Sequence, residues 1–284
     1  MSLRGKACII GIGETVHRRD WPGRTERGLC AEAAAMAIAD AGLKREDVDG
    51  IITFGGPTYP GPMAEYIGIR PIHYAAGVSM MGSSSMVALA TASAVVNAGI
   101  ARYVLGVFGG GRDSKWLRPM LVTGPNVRTE WEEPYGMAVA ANTMYGLLYT
   151  RHMHEYGTKP EQLAKLAVNQ RFNTLKNPRS AFAASGPITV DDVLKSRYVN
   201  YPLNLLQCVM PVAGAIAYIV ASADDAKASP NPRVNVLGVG VSMGYASSWT
   251  NPRMTEVPVR YSARSAFEMS GYSPKDVQLV ETYD

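Results

Sequence analysis

The sequence predicts an α/β fold built from a duplicated unit, and three observations support this prediction. Short apolar runs rich in β-branched residues alternate with helix-like segments from the N-terminus onward. A stretch near the N-terminus matches a stretch near the C-terminus. The composition of the 284 residues, 47% hydrophobic and 18% charged, is typical of a chain that buries a large core.

The hydrophobic pattern in the first part of the chain predicts strand–helix–strand units. Three apolar, β-rich runs are predicted to be buried strands: residues 6–13, 48–54 and 103–108. Two segments with helical character, residues 26–41 and 83–98, are each followed by a glycine that suits a C-cap. The order β-α-β and then α-β favours an α/β fold with a largely parallel sheet.

The residue composition and its periodicity change after residue 108. Gly, Pro, Trp and charged residues mix without a period up to about residue 142, which predicts a loop-rich excursion of the kind that is often functional. Helices are predicted at 143–156, 160–173 and 188–194, and strands at 212–221 and 234–241. The predicted division is an N-terminal half (1–108), a loop and helical insertion (109–200) and the start of a C-terminal half (201–284).

An internal repeat links the two ends of the chain. Residues 31–54 align without a gap to residues 260–283, at a constant offset of 229. The aligned pairs include Ala34 with Ala263, Ala37 with Ala266, Gly42 with Gly271, Asp47 with Asp276, and Ile51 with Val280. The preceding strand matches too, IIGIG (9–13) against VLGVG (236–240). Helix, glycine cap, turn and strand are common in α/β proteins, but the gapless match and the matching upstream strand favour duplication.

The second copy of the repeat stops early. In the first copy a further helix and strand follow, whereas the given sequence ends one residue after the second copy's matching strand. A sheet ending there would leave a strand edge and an apolar helix face uncovered. We therefore expect either a longer protein or a partner that completes the fold.

Five stretches resemble the thiolase superfamily, in particular the thiolases related to sterol carrier protein X and to bacterial lipid-transfer proteins. They read GKACIIGIGET, AAAMAIADAGLKREDVDGII, GVSMMGSSSMVALATASAVVNAGIARYVLGV, EYGTKPEQLAKLAVNQRFNTLKNPRSAF and DVQLVETYD, and span nearly the whole chain in order. The resemblance implies a duplicated α-β-α-β-α layered sandwich whose second half is incomplete here, with further residues following Asp284. It also implies an acyl-CoA (coenzyme A thioester) substrate, no covalently bound cofactor, and a homodimer paired through its sheets.

The resemblance places the nucleophile position at Ser79. In the family a cysteine precedes the helix in a Cys-Ala-Thr/Ser-Gly-Ser stretch, and here residues 79–83 read SMMGS, with Gly82 fixing the register. A serine hydroxyl needs an adjacent base to act as a nucleophile. The family's base histidine and second cysteine would lie beyond Asp284. Ser79 is thus either the nucleophile of an acyltransferase or a polar residue at a helix start, and Met80 and Gly82 are expected beside the thioester.

A second chemistry needs no nucleophile. Some relatives in this superfamily lack the thiolase cysteine and cleave 3-hydroxyacyl-CoA side chains by retro-aldol reaction, together with a small OB-fold acyl-CoA-binding protein. The reaction needs a base for the hydroxyl group and stabilisation of the departing enolate. Tyr245, after the second-copy strand, and Asp284 are candidates for this role; the alternatives are a packed aromatic residue and a residue at a chain end.

Three glycines suggest a phosphate-binding loop. Gly109, Gly110 and Gly111 follow a predicted strand in GGGRDSK, which lacks the spacing of a P-loop and suits a plain turn. The resemblance implies that this loop edges the acyl-CoA channel. The cysteines, Cys8, Cys30 and Cys208, are predicted to be structural thiols, and the histidine spacing predicts no metal site.

Charge and hydropathy limit the classes of partner, cellular location and function that remain for this chain. The net charge of +4 is spread along the chain, which argues against nucleic acid as a partner. No apolar run is long enough for a membrane span, no signal peptide is visible, and the low cysteine content favours the cytoplasm. The leading prediction is an acyl-CoA acyltransferase; the alternatives are the retro-aldol lyase and a non-catalytic acyl-CoA- or lipid-binding subunit.

Overall fold

The computed structural model describes residues 3–55, 58–111, 140–244 and 251–282. The helices in this part of the chain are α1 (Glu26–Asp40), α2 (Pro60–Ile67), α3 (Ser84–Asn97), α4 (Ala140–Tyr156), α5 (Pro160–Thr174), α6 (Val190–Lys195) and α7 (Val259–Ser270). The strands are β1 (Ala7–Glu14), β2 (Gly50–Thr53), β3 (Tyr74–Gly77), β4 (Tyr103–Gly111), β5 (Tyr198–Asn200), β6 (Leu203–Asn204), β7 (Ala213–Ser222) and β8 (Val234–Val236).

A six-stranded mixed sheet organises the described residues, with the strand order β3-β2-β4-β7-β1-β8. Strand β2 pairs in parallel with β3 and with β4. Strand β7 is antiparallel to β4 and β1, and β8 is antiparallel to β1. Strands β1 to β4 therefore run in one direction, while β7 and β8 run in the other. The predicted α/β class is confirmed, and β5 and β6 form a small separate sheet.

Helices cover both faces of this sheet. Helices α1 and α2 share one core with residues such as Leu105 and Val107 of β4. Helix α3 shares the other core with Val104 and Phe108 of the same strand. Because neighbouring residues of a strand point to opposite faces, this alternation places the sheet between two helical layers.

Helix α1 packs on β1 with backbone in contact with backbone. A Cβ atom added to Gly11 would lie 2.5 Å from the carbonyl oxygen of Ala37, and one added to Gly13 would lie 2.1 Å from that of Ala33. Side chains on these glycines would push the two elements apart. The small residues of β1 and α1 are therefore what allows this helix to lie so close to the sheet.

The second copy of the repeat has the same contacts, which confirms the duplication. A Cβ atom on Gly238 would lie 2.2 Å from the Ala266 oxygen, and one on Gly240 would lie 1.9 Å from the Ser262 oxygen. These helix positions are the ones that align with Ala37 and Ala33 at the offset of 229.

The turns after the two helices match as well. Gly42 and Gly271 have left-handed backbones, with φ values of +71° and +70°, as expected for glycines that end a helix. In the first copy the Asp47 carboxylate accepts a 2.7 Å hydrogen bond from the Lys44 amide. In the second copy the Asp276 carboxylate accepts a 2.8 Å bond from the Ser273 amide.

Two predicted strand ends were wrong. Strand β4 extends through Gly111, because its last residues pair with the start of β7. Strand β8 ends at Val236 rather than at residue 241, because Val236 pairs with Ala7, the first residue of β1.

The predicted strand of the second copy is not formed: Val280 is 67% exposed, whereas its first-copy equivalent Ile51 is fully buried. The predicted division at residues 108 and 109 falls within β4 and stays a prediction.

Candidate active site

The carboxyl ends of three parallel strands, β2, β3 and β4, meet at one edge of the sheet. In open α/β sheets ligands bind at this edge. Thr53 ends β2 here, and its buried hydroxyl has no hydrogen-bond partner among the described residues. The segment 79–83 starts here too, between the end of β3 and the start of α3. The structure therefore places Ser79, Met80 and Gly82 at the edge where a ligand is expected.

Backbone hydrogen bonds hold the chain on both sides of Ser79. The Val78 amide donates to the Thr53 carbonyl oxygen at 2.8 Å. The Met80 amide donates to the Ser84 hydroxyl oxygen, also at 2.8 Å. Ser79 itself is exposed, and no described residue gives its hydroxyl a hydrogen-bond partner. Within the described residues, no hydrogen bond therefore activates this serine as a nucleophile.

Tyr218 anchors the helix that follows this segment, and no sequence motif predicted this role. Its hydroxyl donates a 2.8 Å hydrogen bond to the carbonyl oxygen of Ser85 in the first turn of α3. Its ring fills the space beside Gly106, where a Cβ atom would lie 2.4 Å from the ring. Burial raises the pKa of Tyr218, so the hydroxyl stays protonated and remains a donor.

Removing this hydroxyl should loosen the start of α3. We expect Tyr218→Phe to lower the free energy of unfolding by about 1 kcal/mol, because the carbonyl of the half-buried Ser85 loses its partner. Chemical denaturation measures the change. The exposed Tyr201, changed to Phe in the same way, serves as the control and should leave stability unchanged within about 0.5 kcal/mol. Equal stabilities of the two variants would contradict the anchoring role.

The three glycines predicted to form a loop are the last residues of β4. Gly109, Gly110 and Gly111 pair with Ala215, Gly214 and Ala213 of β7. A Cβ atom on Gly109 would lie 2.8 Å from both the Cys30 sulfur and the Ala215 Cβ. The prediction of a turn at these residues was wrong, because their backbone belongs to the sheet. Close packing explains Gly109; a contact of these glycines with the acyl-CoA stays a prediction.

An apolar cavity of about 400 Å³ lies between α4, α5 and two connecting segments. Its apolar wall consists of Tyr145, Leu148, Tyr149, Leu163, Leu203, Val209, Met254 and Val257. The Thr255 hydroxyl donates a 2.6 Å hydrogen bond to the Glu155 carboxylate, which fixes residues 254–257 against α4. The cavity can hold a large apolar group, and no single motif in the sequence indicated it.

The cysteines do not form an activated thiol. Cys8 and Cys30 are fully buried, and burial raises the pKa of Cys30 to about 12. Cys208 is half-buried at the wall of the apolar cavity, and its pKa is raised by burial as well. A thiolate nucleophile needs a lowered pKa. Tyr245 and Asp284, the other predicted catalytic residues, lie outside the described residues.

No family model matches the chain. The chain is 31% identical to a steroid side-chain-cleaving aldolase of Thermomonospora curvata, in an alignment that covers 99% of this chain and 75% of that protein. It is 30% identical to an acetyl-CoA acetyltransferase of Methanothermobacter thermautotrophicus, over 98% of this chain and 73% of that protein. The chain belongs to the thiolase superfamily.

Solved structures agree with this assignment to the thiolase superfamily. The structure of an Ltp2-ChsH2(DUF35) aldolase is 30% identical, with a TM-score of 0.89 over 97% of this chain and 72% of that chain. Human mitochondrial 3-ketoacyl-CoA thiolase, at 16% identity, shares the fold alone, with a TM-score of 0.68 over 98% of this chain and 79% of that chain. The thiolase-like fold predicted from the sequence is confirmed. Among the described residues no helix has the length and hydropathy of a membrane span.

Proposed function

We propose that this chain is a carbon–carbon lyase that cleaves a 3-hydroxyacyl-CoA by retro-aldol reaction. The supporting observation is Ser79, which the family resemblance aligns with the thiolase cysteine and whose hydroxyl has no hydrogen-bond partner among the described residues. A Claisen thiolase has to form an acyl–enzyme bond at this position. A retro-aldol reaction forms no such bond, so it tolerates serine here.

The reaction is balanced without an added reagent. A base removes the proton of the 3-hydroxyl group, and the oxygen electrons form the carbonyl of the departing ketone or aldehyde. The bond between the second and third carbons of the acyl chain breaks, and its electron pair forms the enolate of the shorter thioester. That enolate then takes up a proton. We assign the base to Tyr245 or Asp284, and the positive end of the α3 dipole would stabilise the enolate.

The names of two relatives point to the same chemistry. One is the Thermomonospora curvata aldolase described above. The other is a 17-hydroxy-3-oxo-4-pregnene-20-carboxyl-CoA lyase of Mycobacterium tuberculosis, 29% identical over 99% of this chain and 76% of that protein. The name of the Ltp2-ChsH2(DUF35) aldolase includes a DUF35 component. We therefore propose an OB-fold, DUF35-type acyl-CoA-binding protein as the partner of this chain.

The apolar cavity is our candidate for the site of the acyl group. Leu148 lines the cavity, whereas the adjacent Leu147 is 39% exposed and does not line it. We expect Leu148→Asn to raise the KM for a bulky, apolar 3-hydroxyacyl-CoA about tenfold, because the substrate loses an apolar contact worth about 1–2 kcal/mol. Leu147→Asn is the matched control and should change the KM less than twofold. Equal KM values for both variants would place the acyl group elsewhere.

The lyase is tested by mixing the chain with a 3-hydroxyacyl-CoA, with and without a DUF35-type partner. The proposal expects a ketone or aldehyde together with a shorter acyl-CoA, in amounts that depend on the partner. Binding of the thioester without any product would favour a non-catalytic subunit instead.

An acyltransferase is the second candidate, supported by the 30% identical acetyl-CoA acetyltransferase. It requires Ser79 to carry the acyl group, with a base from outside the described residues. Acetyl transfer to CoA that disappears in Ser79→Ala would favour it over the lyase.

We also propose a homodimer. Strand β3 lies at the edge of the sheet and, among the described strands, pairs only with β2. Its outer edge could pair with β3 of a second copy. Sedimentation analysis tests the dimer, and a monomer at micromolar concentration would contradict it.

A further inference from the structure

A second cavity, of about 670 Å³, borders the apolar one and shares residues 207–209 with it. Its walls come from α5, the segments 180–182 and 205–212, the chain after β1, and the single residues Ile188 and Arg197. The titratable basic side chains of its wall are His17, Arg19, Arg171 and Arg197. No Asp or Glu among the described residues lines it. The cavity is therefore positively charged, unlike its neighbour.

This positive charge is not balanced by acidic partners in the described part of the chain. Arg19 and Arg197 are exposed at the cavity wall and form no ion pair with a described residue. Arg171 is held by neutral groups: it donates to the Gly186 carbonyl oxygen at 3.1 Å and stacks 4.6 Å from the centre of the Phe182 ring. Three guanidinium groups thus have unused hydrogen-bond donors.

His17 adds a fixed polar group to the wall. Its ring lies on Gly214, where an added Cβ atom would be 2.0 Å from the ring carbon Cδ2. The nearest carboxylate is Glu14, 3.7 Å from His17 Nδ1, and it also faces Arg179 at 3.6 Å. Because one carboxylate is shared between two basic groups, it does not neutralise the cavity.

We propose that this cavity binds a phosphate-bearing organic anion. Guanidinium groups match the geometry and charge of phosphate oxygens. The rest of the wall combines apolar residues, among them Phe182, Leu206 and Met210, with neutral polar ones such as Thr174 and Ser180. It suits an organic group attached to the phosphate. The anion has two possible sources: the phosphates of the CoA thioester itself, which rests on the proposed function, or a separate organic phosphate.

Isothermal titration of the full chain with ADP, and with inorganic phosphate alone, tests the site. The double variant Arg19→Gln/Arg197→Gln should weaken ADP binding at least tenfold. The matched control, Arg260→Gln/Arg264→Gln, removes the same charge from α7, which contributes no residue to the cavity, and should bind ADP within twofold of the unmodified chain. Inorganic phosphate should bind more weakly than ADP, since it lacks the organic group.

The proposal is overturned if ADP does not bind, or if both double variants bind it equally. Melting temperatures close to that of the unmodified chain would show that the variants are folded, as expected for exposed arginines. The single variant Arg19→Gln should also weaken ADP binding.

Competition with CoA distinguishes the two sources. If the thioester's own phosphates occupy the cavity, CoA displaces ADP, and the double variant raises the KM of an acyl-CoA but not that of the matching acyl-pantetheine. If a separate organic phosphate is the ligand, ADP still binds when CoA is saturating. Either result supports the anion site. Because ADP binding is measured without turnover, it can succeed even if the lyase proposal fails.

Discussion

Gly13→Ala should destabilise the chain by about 3 kcal/mol or more, the largest stability loss that we expect from a single methyl group. The added Cβ would lie 2.1 Å from the Ala33 oxygen and 2.7 Å from the Ala37 nitrogen, both of them backbone atoms of α1. Backbone in a packed helix cannot move aside as a flexible side chain can, so β1 and α1 have to separate. Thermal unfolding should show a melting temperature lower by about 6 °C or more.

Two further variants make this prediction specific. Gly61→Ala, in α2, adds the same methyl group where nothing lies within 4 Å of it. It should leave stability unchanged or raise it by up to about 1 kcal/mol, since alanine favours helix. Gly240→Ala should destabilise the chain as Gly13→Ala does, because its Cβ would lie 1.9 Å from the Ser262 oxygen. A melting temperature of Gly13→Ala equal to that of Gly61→Ala would contradict the close packing described here.

Tyr245→Phe should have the largest effect on activity. If Tyr245 is the base of the proposed lyase, loss of its hydroxyl should lower kcat for 3-hydroxyacyl-CoA cleavage by about 10²–10⁴-fold with little change in KM. Ser79→Ala should retain activity within about threefold, because the retro-aldol reaction forms no bond to this side chain. Steady-state kinetics with the DUF35-type partner present measure both variants.

Tyr201→Phe is the control for the loss of a tyrosine hydroxyl, at a residue that is 67% exposed. The assignment of the base is wrong if Tyr245→Phe cleaves the substrate as fast as this control does. In that case Asp284→Asn becomes the variant to measure. A large loss of activity in Ser79→Ala would instead favour the acyltransferase.

Local sequence patterns predicted the regular elements well. The small, apolar residues of α1 and the glycine after it predicted a buried helix with a left-handed end, and Gly42 has that conformation. The gapless repeat predicted a second helix that ends at a glycine, and α7 ends before the left-handed Gly271. Gly238 and Gly240, which follow β8, contact α7 as Gly11 and Gly13 contact α1.

These local patterns did not predict the features that depend on contacts between distant segments of the chain. The pairing of Gly109 to Gly111 with β7 joins residues about a hundred positions apart, so three glycines in a row looked like a turn. Tyr218 and Ser85 are separated by 133 positions. The two cavities draw their walls from three or more elements each. Local periodicity carries no information about such contacts, whereas the family resemblance predicted that Ser79 lies shortly before a helix, and α3 begins at Ser84.

The proposed reaction is tested most directly by counting the free CoA consumed for each carbon–carbon bond cleaved. A retro-aldol reaction consumes none, because the ketone or aldehyde leaves without a thioester. Thiolysis consumes one CoA per bond, since both products are thioesters. We predict that the chain and its DUF35-type partner cleave a 3-hydroxyacyl-CoA with no uptake of free CoA. Uptake of one CoA per cleavage, with a 3-ketoacyl-CoA as the substrate that reacts, would contradict the lyase and favour the acyltransferase.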